Sequence, residues 1–119
     1  MDFKEILSQI LEKFEDAFGI LLMGSDGIAI EKVVKNEYVN LDIMAAEYAN
    51  YLKATDNTLK EAEAGEINEI INITDKLIIL LYTLTKEYFL FMVLPAGSNF
   101  GRARFELKKA KYVLQKELV

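Results

Sequence analysis

Phe3, Ile6, Leu7, Ile10, Leu11 and Phe14 recur at three- and four-residue steps, with Lys4, Glu5, Gln9, Glu12 and Lys13 between them. Positions three and four apart share one face of an α-helix. The spacing therefore predicts a one-sided helix ending near Phe18, ahead of Gly19. Residues 20–23 form an apolar run of strand length. Ser25-Asp26-Gly27 follows, and Asp-Gly supplies the positive φ angles that a tight hairpin needs. Residues 28–34 return as a second strand, with polar residues in both registers toward its end. Residues 41–64 read as one long helix, with Asn40 as N-cap and Gly65 as the stop. Its apolar stripe is Leu41, Met44, Ala45, Tyr48, Tyr51, Leu52, Thr55 and Leu59. Residues 66–74 alternate, Ile67, Ile71 and Ile73 against Asn68, Ile70 and Asn72. Residues 77–83 and 88–94 are nearly continuous apolar runs joined at Lys86-Glu87. Residues 100–118 close the chain as a helix with Phe100, Ala103, Leu107, Ala110, Leu114 and Leu118 in line.

The strand patterns also predict layer order. A strand buried on both faces reads as an unbroken apolar run, whereas a margin strand alternates. The first, fourth and fifth strands are thus central, and the second and third lie at the margins. Helices must then cover both faces. The expected architecture is an α+β sandwich in the order α-β-β-α-β-β-β-α, with two shorter helices on one face of a five-stranded, mainly antiparallel sheet and the long helix on the other.

The 119 residues suit a single domain spanning 1–119, and 52% hydrophobic residues supply its core. Cysteine and histidine are both absent. That removes disulfides, thiolate chemistry, the commonest metal ligand and the commonest general base near neutral pH. No cofactor, metal or catalytic residue is expected. A net charge of −5 without a basic stripe argues against nucleic acid. The start lacks the basic and apolar regions of a signal peptide, and no apolar run approaches the ~20 residues of a membrane span. A cytoplasmic location is the expectation. Lysine outnumbers arginine twelve to two, a bias that suits a thermophile.

Gly24-Ser25-Asp26-Gly27 lacks the spacing and the Lys-Ser/Thr ending of a phosphate loop and joins two strands, so it reads as a plain turn. Gly97-Ser98-Asn99-Phe100-Gly101-Arg102 reads as a strand-to-helix connection capped by Ser98 or Asn99. Asp16, Asp26, Asp42 and Asp75 are scattered, with no pair placed for acid–base work. The last helix is rich in cations, a face for an acidic partner or lipid, or simply a solvated one. Two surfaces stand out. The long helix's outer face holds Ile43, Ala46, Asn50, Lys53, Ala54 and Asn57, small and apolar where Glu and Lys are usual; an incidental run of helix formers is the alternative. The third strand is an edge with apolar residues in both registers, which invites pairing with another chain.

Gly24-Ser25-Asp26-Gly27-Ile28-Ala29, the segment Ala45-Ala46-Glu47-Tyr48-Ala49-Asn50-Tyr51-Leu52-Lys53, and Glu87-Tyr88-Phe89-Leu90 through Asn99-Phe100-Gly101-Arg102-Ala103-Arg104 resemble, in order and spacing, the Roadblock family of dynein light chains and small-GTPase regulators. Within it the chain looks most like the MglB type, from the first helix to about Leu114. The resemblance implies a bacterial or archaeal homodimer formed by Tyr48, Tyr51, Leu52, Thr55, Ile67, Glu69, Ile70, Ile71 and Ile73. It implies a Ras-like, MglA-type GTPase docked on Ile43, Ala46, Asn50, Lys53, Ala54 and Asn57. MglB-like regulators stimulate GTP hydrolysis by repositioning the GTPase's own groups, so no enzyme activity of the chain itself is expected. Because the sequence stops at Val119, any contact made by a longer C-terminal extension is expected to be missing. The alternatives are a non-activating scaffold or a small-molecule sensor of PAS- or profilin-like plan, which needs a pocket with convergent polar groups.

Overall fold

Asp2 starts the first helix, its carboxylate accepting the Lys4 N–H at 3.1 Å. In the computed structural model, which describes residues 2–118, helix α1 spans Phe3–Leu11 and not the longer stretch to Phe18 that its periodicity suggests. From Lys13 the chain tightens into three-residue turns, Lys13 N–H to Ile10, Phe14 N–H to Leu11 and Ala17 N–H to Phe14. Lys35 Nζ donates a second hydrogen bond to the Leu11 and Phe14 carbonyls, at 3.2 Å each. A three-residue turn keeps Phe14 and Ala17 pointing inward, so the apolar pattern outlasts the helix.

Strand β1 (Gly19–Gly24) is buried throughout. The turn after it is closed by the Gly27 N–H to the Gly24 carbonyl, with Gly27 at φ 87°. Asp26 accepts the Ile28 N–H at 3.1 Å. Strand β2 (Ala29–Val34) pairs antiparallel with β1, and the register shifts between Leu22 and Met23. Helix α2 (Leu41–Glu61) begins at Asn40, whose side chain accepts the Ile43 N–H. Gly19 lies beneath it: a Cβ there would come within 2.6 Å of Leu41 Cδ1 and 2.9 Å of the Val33 carbonyl oxygen, and the fixed backbone of β2 makes glycine necessary. Strands β3 (Glu69–Ile73), β4 (Leu77–Thr83) and β5 (Tyr88–Pro95) complete the sheet, and helix α3 (Phe100–Leu118) follows, capped by Asn99. β3 is shorter than the expected 66–74 stretch. Residues 67 and 68 still hold to the sheet through the Thr83 hydroxyl and N–H.

The sheet order is β2-β1-β5-β4-β3, antiparallel throughout. The three unbroken apolar strands are central and the two alternating ones are edges. Alternation divides the core into two layers. Ile20, Leu22, Leu80, Leu90 and Met92 meet α1 and α3; Leu21, Met23, Leu81, Phe89 and Phe91 meet α2. Two helices therefore share one face, and α2 stands alone on the other.

A candidate protein-docking face

Helix α2 buries Leu41, Ala45 and Ala49 against the sheet and half-buries Met44, Tyr48, Leu52, Thr55 and Leu59. Tyr51 belongs to the sequence's apolar stripe yet is 49% exposed. It lies on the flank that faces the β3 edge, beside Tyr48. On the opposite side of the helix, Ile43, Asn50, Lys53, Ala54 and Asn57 are all exposed, Ile43 by 63%. Ala46 is different. It is half-buried over the β1–β2 turn, where a Cβ on Gly27 would lie 3.7 Å from its own. The crest at 100° per residue runs Ile43, Glu47, Asn50, Ala54 and Asn57. Sequence reasoning passed over Glu47, although the same helical arithmetic places it there. The crest thus presents one large apolar side chain, one carboxylate and three small or amide groups.

The edge beside it is β3. Its outer backbone groups have no strand partner among the described residues. Ile73 is 61% exposed. Ile70 and Asn72 face α2, and Asn72 Nδ2 donates to the Tyr48 hydroxyl, fixing helix to edge. Glu69, Ile71 and Ile73 face the other layer, with Ile71 packed on the core and Glu69 bonded to Arg104. Tyr48, Leu52, Thr55, Ile67, Ile70 and Ile71 are each partly covered within the chain. The structure gathers all nine expected interface residues along one side of the molecule, but Tyr51 and Ile73 are the exposed ones.

Asp16, Asp26, Asp42 and Asp75 stay apart; Asp42 is paired with Lys32 at 2.7 Å. An open cleft of about 380 Å³ lies where α2, the start of β3 and the β4–β5 turn meet. Lys53, Lys60, Lys86 and Lys111 reach it, along with Asp56 and Glu66. The carboxylate that sequence reasoning missed is Glu106, 5% exposed between α1 and α3. Lys13 Nζ donates to both its oxygens, at 2.7 and 3.0 Å, and Lys109 Nζ lies 3.1 Å from one of them. The Lys13 hydrogen bond, reinforced by Lys109, holds its carboxyl below the usual carboxylate range against the opposing effect of burial. With both oxygens occupied it ties α3 to the turn after α1 and offers no base to a substrate. Its position was readable: 103, 106, 107 and 110 follow the helical core spacing.

No family model matches the chain, and no curated protein matches it in sequence. Solved structures do. A Roadblock/LC7 domain from Streptomyces avermitilis superposes with a TM-score of 0.86 at 13% identity, covering 99% of this chain and 98% of that one. MglB from Myxococcus xanthus gives 0.83 at 18% identity over 99% and 98%. MglC from the same organism gives 0.67 at 29% identity over 98% and 99%. These superpositions span nearly the whole chain, and the chain therefore has the Roadblock/LC7 fold, in the form it shares with MglB.

Proposed function

We propose that the chain is a homodimeric cytoplasmic regulator that holds a Ras-like, MglA-type GTPase on the crest of α2. The observation that carries this is the crest itself: exposed Ile43 in line with Asn50, Ala54 and Asn57, on the one helix that covers its sheet face alone. Interface centres are poor in lysine and rich in apolar contact, and small side chains let a partner's backbone come close. The shared fold with MglB supports the same reading. Antiparallel pairing of two β3 edges relates the copies by a two-fold axis normal to the sheet. Both α2 helices then lie on the same side, and one GTPase bound across the axis would occlude a second, giving two protomers per GTPase. Helix α2 contains no arginine, so it has no finger to insert into a nucleotide site. Any acceleration of hydrolysis comes from arranging the GTPase's own groups.

The test is Asn50→Arg with Ala54→Arg, two exposed positions away from the core. Pull-down against the cognate GTPase loaded with a GTP analogue should fail, while the melting temperature stays close to that of the unaltered chain. Full binding by the folded double variant would remove the α2 crest from the interface.

A further inference from the structure

The face opposite α2 sets helix α3 beside a segment of contrary charge, α1 with its N-cap and the turns that follow it. Helix α3 carries six cations and two carboxylates, and one of those carboxylates, Glu106, is consumed by Lys13 and Lys109. Residues 2–16, comprising α1 and the turns after it, carry five carboxylates and two lysines. The buried residues of α3 are Ala103, Glu106, Leu107, Ala110 and Leu114. Phe105 and Tyr112 therefore project from the opposite crest, 60% and 64% exposed, flanked by Lys108, Lys109 and Lys116. Two aromatic rings two helical turns apart, set among cations, combine the side chains that concentrate binding energy at interfaces. Neither ring is used by the core or by the α2 crest.

We infer that this face is a contact between two copies of the chain, with α3 of each seated on α1 of the other. A face with a positive and a negative half complements itself when a two-fold axis runs between the halves. The other symmetric arrangement, α3 on α3, would set lysine against lysine. A flat anionic membrane would meet Glu12, Glu15 and Asp16 as it met α3, because α1 and α3 lie side by side on the same layer. At 1.5 Å per residue and a width of ~10 Å, the two helices offer a footprint of about 400 Å² per copy. That is at the small end of specific interfaces, so the contact is concentration-dependent and salt-sensitive. It leaves both α2 and β3 free, and it stands or falls separately from the GTPase reading. Combined with pairing at β3, it stacks dimers back to back with every α2 crest outward.

The experiment uses two charge-reversed chains. In the first, Lys108→Glu and Lys116→Glu turn the exposed crest of α3 acidic, leaving Lys109 alone against two carboxylates; in the second, Glu5→Lys and Glu12→Lys give residues 2–16 a net positive charge. All four positions are exposed. Light scattering and sedimentation are run over rising concentration, at low salt and at about 0.5 M salt. The unaltered chain should double its mass beyond the β3-paired state, and the doubling should vanish in high salt. Each reversed chain alone should lose the doubling. Their mixture should regain it, because each acidic α3 then faces a basic α1 and each basic α3 an acidic α1. Circular dichroism checks that both fold. A mass indifferent to concentration, reversed chains that still associate alone, or a mixture that does not recover would each overturn the proposal. So would low-salt binding of the unaltered chain to anionic phosphatidylserine vesicles with no self-association.

Discussion

Replacing Glu106 with glutamine should destabilise the chain at neutral pH and have progressively less effect in acid. The carboxylate is 5% exposed, whereas its partners Lys13 and Lys109 are 42% and 55% exposed. Removing one member of a fully buried ion pair costs ~3–5 kcal/mol, and an exposed pair contributes ~0–1 kcal/mol. One buried end and two wet ends place this site between those limits, at about 1–2 kcal/mol. For a chain of this length that corresponds to a fall of roughly 4–8 °C in Tm. The sign follows from linkage. The folded state depresses the Glu106 pKa, so folding favours the ionised form. Its contribution is complete well above the ordinary value of 4.5 and disappears as pH falls through the depressed one. Urea titration of the unaltered and Glu106→Gln chains, at pH 7 and at the lowest pH where both still fold, measures this directly. The difference should be largest at pH 7 and shrink in acid. A gap of equal size at both pH values, or none at pH 7, would refute the electrostatic account.

Ile73→Lys should split a dimer paired through β3 without unfolding the chain, because that side chain is 61% exposed; light scattering at micromolar concentration reads it. Ile71→Lys, two residues along the same face, should instead lower Tm sharply, since Ile71 packs on the α1–α3 layer. Phe91→Ala, at a position with no exposed surface and with its ring centroid 5.2 Å from that of Tyr48, should cost ~3–5 kcal/mol in urea unfolding. Calorimetry of the purified chain with GTP should show no stoichiometric binding, as there is no phosphate loop of Walker spacing in the sequence.

Element type and sheet order were legible because burial leaves a direct mark on residue choice. The runs at β1, β4 and β5 have apolar residues in both registers and are covered on both faces, while β2 and β3 alternate with polar residues and form the margins. Boundaries were less legible. Phe14 and Ala17 continue a helical spacing although the backbone has passed into three-residue turns, since inward direction and not hydrogen-bond pattern is what selects an apolar residue. The face of a helix opposite its apolar stripe was readable from 100° steps, yet Ala46 was misplaced there. Its partial burial comes from the β1–β2 turn folding over it, a tertiary contact that leaves no periodic trace. Glu106 shows the converse. A charged residue at a core position reads as an error in the pattern until Lys13, distant in sequence, supplies its counter-charge.

The two margins of the sheet are not equivalent, and that difference sets how far strand addition can go. At β3 five residues run in unbroken register against β4. At β2 the pairing slips between Leu22 and Met23, leaving Ile30 without a partner on β1, and Lys32 is drawn over the α2 side by Asp42. A bulge twists an edge away from flat pairing and a charged side chain there repels another strand. If both margins were smooth, β2 of one molecule would accept β3 of the next, and the same contact would repeat without end into a ribbon. With one margin disfigured, a β3 edge that pairs at all pairs with another β3, and a sheet built that way would terminate at ten strands.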